Sequence, residues 1–159
     1  MKGNKGITLI ALVITIIVLL ILAAVSIAML TGENSILKRA SQSSAENRIG
    51  AANDAVSLFV TDKIAEFYEE AYANGNNTTL SAGLNSYLST VVKEDALTTA
   101  IGDSEVTVKT VDMGSGLGNS SKAGTIVLEA KDNSYNYTST GIVNNGKITW
   151  KITKADRKN

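Results

Sequence analysis

The chain has 159 residues, enough for one modest core beyond a membrane segment. Its 15 basic and 15 acidic side chains cancel, so no broad basic character points to a nucleic-acid partner. Cysteine and histidine are absent, which excludes disulfides and removes the commonest nucleophiles, general bases and transition-metal ligands; proline is absent too, so no long helix meets its strongest breaker.

Residues 7–30 read ITLIALVITIIVLLILAAVSIAML, with no charge between Lys5 and Glu33. As a helix this run spans about 36 Å against about 30 Å of bilayer hydrocarbon, which is long enough to cross with some tilt. Lys2 and Lys5 precede it and are expected to hold the N-terminus in the cytoplasm. An ordinary cleaved secretory signal has an apolar core of about 7–15 residues, shorter than this one. A lipoprotein signal needs the cysteine that is missing. An uncleaved signal anchor fits the run.

The boundary before the run is more specific. A short polar leader, residues 1–6, ends in Lys5-Gly6 and is followed at once by Ile7-Thr8-Leu9-Ile10. This resembles the prepilin signal of type IV pilins and the related pseudopilins. Lys5, Gly6, Thr8, Leu9, Ile10, Leu22, Ala23 and Ala24 stand where that family's usual pattern puts them. The resemblance implies that a prepilin peptidase cuts after Gly6 on the cytoplasmic side, that Ile7 becomes the N-methylated first residue, and that the apolar helix stays on the mature protein. It implies an assembly helix opening Thr8-Leu9-Ile10-Ala11. The partners implied are identical or related subunits in a helical filament, an inner-membrane assembly platform with its ATPase, and the lipid bilayer before assembly. Two positions depart from the pattern: Ile7 stands where phenylalanine is commoner, and Ala11 where the family usually carries a glutamate that pairs with a neighbouring subunit's N-terminal amine. A buried carboxylate is costly in lipid unless paired, so its loss also makes the run a better simple anchor.

After Thr31-Gly32 the pattern changes. Gly32 weakens a helix, and Asn34 or Ser35 is suited to cap a second one. From Ile36 the apolar residues recur at three- and four-residue steps: Ile36, Leu37, Ala40, Ala45, Ile49, Ala52, Val56, Phe59, Val60, Ile64, Phe67 and Ala71. Lys38, Arg39, Glu46, Arg48, Asp54, Asp62, Glu66 and Glu69 fall on the other side. The spacing predicts an amphipathic helix over 31–75, ended by Asn74-Gly75. Residues 76–79 form a polar loop. Leu80, Leu84, Leu88 and Val91, then Ala96, Leu97, Ala100 and Ile101, predict one or two short helices over 80–101.

From residue 104 the period becomes two. Val106, Val108 and Val111 mark a first strand, a glycine-serine loop runs from Met113 to Lys122, and residues 125–130 alternate as a second strand. The Gly114-x-Gly116-x-Gly118 spacing echoes a phosphate-binding loop but leads to a strand, where that chemistry needs a helix N-terminus. Tyr135–Val143 and Lys147–Thr153 flank Asn144-Asn145-Gly146, the strongest short hairpin signal. Alternation turns Lys147, Thr149, Lys151 and Thr153 to water and Ile148, Trp150 and Ile152 inward, with Trp150 set against Val56, Phe59 and Phe67. The basic residues Lys147, Lys151, Lys154, Arg157 and Lys158 read as a solvated strand face and tail.

The expected fold class is α+β: a long N-terminal helix, apolar then amphipathic, packed on a C-terminal antiparallel sheet of about four strands in a head domain over 76–159, as the pilin resemblance also implies. The expected function is structural, as a subunit of a type IV pilus or pilus-like filament, inserted as a single-pass membrane protein with its head outside and then carried into an extracellular filament. A minor pilin, a pseudopilin of a secretion or DNA-uptake system, and an uncleaved signal-anchored adhesion protein are the alternatives. No catalytic residue, cofactor, metal or direct nucleic-acid contact is expected.

Overall fold

The computed structural model describes residues 5–32, 36–75, 80–113, 123–132, 135–144 and 147–156. The proposed caps at Asn34 and Ser35, the loop at 76–79, the glycines at 114, 116 and 118, the turn residues Asn145 and Gly146, and the basic tail from Arg157 all lie outside them. Four helices precede four strands: α1 (Lys5–Thr31), α2 (Ile36–Ala73), α3 (Leu80–Val91), α4 (Glu94–Ile101), β1 (Val106–Asp112), β2 (Gly124–Lys131), β3 (Tyr135–Asn144) and β4 (Lys147–Asp156). The chain divides into two compact units, residues 1–41 and 42–159.

The first unit is α1 with the opening residues of α2. α1 ends at Thr31, beside Gly32, and α2 begins at Ile36. Ile36, Leu37 and Ala40, expected on a packed stripe, are exposed instead, the first two at 75% and 60%. Periodicity gives the direction in which a side chain points; it does not supply a surface to cover it.

In the second unit the helical stripe is buried from Ala45 onward. Ala45, Ile49, Ala52, Val56 and Val60 join Ile126, Leu128, Tyr137 and Val143 of the sheet in one core. Phe59, Ile64 and Phe67 pack against it half-buried. α2 ends as the Asn-Gly pair predicts: Asn74 N–H donates to Glu70 O at 3.1 Å, and Gly75 takes φ +67°, which suits a residue without a Cβ. α3 crosses α2 closely, since a Cβ on Gly83 would lie 3.2 Å from the Phe67 ring. There Tyr87 OH donates to Glu66 Oε2 at 3.0 Å and Lys63 Nζ to Glu66 Oε1 at 2.6 Å, and the Lys63 bond holds the Glu66 carboxyl below its usual range. Leu84, Leu88, Val92 and Leu97 carry the two short helices into the core.

The sheet is an antiparallel meander, β1-β2-β3-β4. β2 alternates as predicted, with Ile126, Leu128 and Ala130 buried. β1 holds a register shift between Val108 and Thr110. The extra residue, Lys109, moves the buried parity from Val106 and Val108 to Val111 and Met113, which is how a three-residue step fits one strand. Met113, expected to open the loop, is 4% exposed and belongs to the core. Asn144 pairs with Lys147, so the C-terminal hairpin has the two-residue connection that Asn-Gly predicts.

β4 corrects two expectations. Trp150 and Ile148 are half-buried, and Ile152 is 47% exposed although it faces the same side. β4 is an edge strand, and every residue from Lys151 to Asp156 is exposed. Trp150 is held by two contacts. Its Nε1 donates to Ser57 Oγ at 2.8 Å, and its ring lies across Gly141, where an added Cβ would come within 2.6 Å of Cζ3. Lys154, counted with the solvated tail, places its ammonium 3.8 Å from the Tyr135 ring centroid.

Because the second unit has its own core, a chain lacking residues 1–34 should remain soluble, give a mixed helix and sheet circular dichroism spectrum, and melt cooperatively. A featureless, non-cooperative melt would contradict this architecture.

Candidate functional site

The chemistry-bearing feature of this chain is α1. Leu9–Leu30 is a 22-residue stretch long and apolar enough to cross a membrane. At about 1.5 Å per residue it covers about 33 Å. Every side chain from Leu9 to Leu30 is exposed, with Leu20 at 65% and Met29 at 69%. Apolar surface on this scale needs a lipid or protein environment.

Its polar side chains do not oppose that environment. Thr15 Oγ1 donates to Leu12 O at 2.8 Å, and Ser26 Oγ donates to Leu22 O at 2.8 Å. Each hydroxyl proton is thus spent inside the helix, as hydrocarbon requires. These back-bonds were not foreseen, although a serine or threonine within an apolar helix is the signal for them.

The structure places the expected processing residues at one end of this helix. Gly6, Ile7 and Thr8 lie in its first turns, and Leu9, Ile10 and Ala11 follow as exposed positions. Ala11 adds no polar group, so the helix from Ile7 to Leu30 carries no ionisable side chain.

Among the described residues no group of three or more Asp or Glu side chains stands close enough to hold a metal ion. A shallow depression where α3 meets α4 is lined by Ser89, Val92, Lys93, Glu94 and the end of β1. Lys93, Glu94 and Asp112 share its lining. Tyr137 is 1% exposed, and burial, with Asp132 and Glu46 adding to it, pushes its phenol up to about 12, so it stays neutral in the core. Glu129 is bracketed on the outer face of the sheet by Lys109 at 3.1 Å and Lys131 at 3.5 Å. The exposed apolar helix is taken as the candidate site. Compared with protein-family models, with curated proteins and with solved structures, the chain matches none.

Proposed function

We propose that the protein is a structural subunit of a type IV pilus or pilus-like filament, stored in the membrane by α1 and assembled through it. The observation that carries this reading is the Lys5-Gly6-Ile7 boundary set against an uncharged apolar run whose side chains are exposed from Leu9 to Leu30. In the membrane, lipid covers α1. Extraction into water would cost about 0.8 kcal/mol per exposed methylene, so α1 leaves lipid only for another apolar environment. Parallel helices of neighbouring copies supply one. Contacts between unlike patches on successive copies do not close, and an open helical filament results.

A prepilin peptidase is the processing partner in this reading, cutting after Gly6 and leaving Ile7 to be N-methylated. An assembly platform with its ATPase supplies the work of extraction, and the second unit stands outside the membrane. The uncleaved anchor is the second reading, favoured by Ala11, which removes the carboxylate the resemblance leads one to expect.

Processing tests the choice. A site shaped for the hydrogen side chain of Gly6 should exclude a branched one, so Gly6→Val should accumulate as full-length precursor on immunoblots. Cleavage of Gly6→Val at the wild-type rate would remove the basis for the prepilin reading.

A further inference from the structure

The sheet ends on two strands, β1 and β4, and among the described residues each has a strand neighbour on one side only. In an antiparallel ladder, alternate residues turn their N–H and C=O groups to opposite sides. Every second residue of an edge strand therefore presents both groups outward, ready for another strand. β4 is ten residues long, and its last six side chains are all exposed. Ile152 has inward parity yet stays 47% exposed, because the sheet stops beside it.

Lysines decide what β4 can pair with. Lys147, Lys151 and Lys154 are all exposed along it. A second β4 laid against it would gather the lysines of both copies in one seam, and like charges across strands repel. β1 is the better match. Three antiparallel steps separate β1 from β4, so the two run in opposite directions. A second copy set beside the first in the same orientation thus brings its β1 antiparallel to β4, and the core face of one sheet continues that of the other. One register aligns their side chains. Val106, Val108 and Val111 of β1 fall opposite Ile152, Trp150 and Ile148 of β4, all with core-face parity. On the outer face, Asp112 falls opposite Lys147 and Thr107 opposite Lys151, all four exposed. The alignment requires the partner strand to skip Lys109, as β2 already does. Glu129, 3.1 Å away, draws Lys109 toward β2 and so away from the seam.

We infer that β4 of one copy adds to β1 of a second copy, extending the antiparallel sheet across the contact. Ile152 then gains Val106 as a cross-strand neighbour on its bare side. The contact joins unlike edges and leaves one of each free, so it propagates instead of closing as a dimer. It uses no residue of α1 and stands apart from the filament reading.

The chain has no native cysteine, which makes cross-linking specific. Within one copy, positions 107 and 151 lie on opposite edges of the sheet. Three strand spacings, about 14 Å, separate them, and a disulfide spans at most about 7 Å between Cα atoms. Across the seam they face each other. Full-length chain purified in detergent and carrying both Thr107→Cys and Lys151→Cys should give a ladder of covalent multimers on mild oxidation. Either cysteine alone should leave the chain monomeric. Adding Ile152→Lys to the double variant places an inward-pointing charge on the edge and should weaken the ladder by about tenfold. Its melting temperature should stay within about 3 °C of the parent's, because Ile152 is already half exposed. Covalent dimers from either cysteine alone would show like edges meeting and overturn the pairing of β4 with β1. A double variant that stays monomeric, or a ladder that Ile152→Lys leaves untouched, would overturn the contact itself.

Discussion

Replacing Trp150 by alanine should cost the second unit about 3 kcal/mol and lower its melting temperature by roughly 10–15 °C. A fully buried aromatic is worth about 3–5 kcal/mol on truncation, and Trp150 is only half-buried. It also loses the bond to Ser57 Oγ at 2.8 Å, worth about 1 kcal/mol. The total is a large share of the 5–15 kcal/mol typical of a domain, and no disulfide compensates. Gly141→Ala attacks the same contact from the other side, because its Cβ would sit 2.6–2.8 Å from three atoms of a rigid ring. The strain should cost about 1–3 kcal/mol. The double variant should be more stable than the sum of the two losses predicts, since removing the ring removes the clash. Lys151→Ala, exposed on the opposite face, should change stability by less than about 0.5 kcal/mol. Thermal melts of the four proteins decide the matter. Strict additivity between Gly141→Ala and Trp150→Ala would show that the ring does not lie across the glycine.

Leu19→Arg should leave the protein in the membrane and abolish assembly. Each leucine, isoleucine or valine near the centre of a spanning helix contributes roughly −0.3 to −0.6 kcal/mol to insertion, and an arginine costs roughly 2.5–3.5. One arginine therefore cancels only about six or seven of the aliphatic residues that fill Leu9–Leu30, so insertion survives. A packed bundle of such helices is less forgiving. In lipid the guanidinium snorkels toward the headgroups, whereas between neighbouring helices it meets only aliphatic side chains, and an unpaired buried charge costs several kcal/mol per copy. Fractionation should find Leu19→Arg with the membranes at wild-type level, and shearing should release no filament. If the sheared fraction matches wild type, α1 is an anchor and takes no part in subunit packing.

Regular repeats were the legible part of the fold. The run from Ala45 to Val60 declared its buried face through three- and four-residue steps, and Asn145-Gly146 fixed the Asn144–Lys147 pairing of the last hairpin. What was missed depends on neighbours distant in sequence. Ile152 has the right parity but lies on an edge strand where nothing covers it. Met113 joins the core because the bulge at Lys109 reverses the alternation before it. The Trp150–Gly141 and Trp150–Ser57 contacts join residues that no periodicity relates. The apolar helix was legible from composition alone, because twenty-odd uncharged aliphatic residues need no tertiary information to define them. The processing site was legible only through its resemblance to a known signal.

The mature N-terminus separates a filament subunit from a membrane anchor most directly. Intact-mass and N-terminal peptide mass spectrometry of the protein isolated from its own cells should find a chain that begins at Ile7 and carries one extra methyl group on its α-amine. A chain that retains Met1 or Lys2 through Gly6, unmodified at Ile7, would contradict the prepilin reading and leave α1 as an uncleaved anchor.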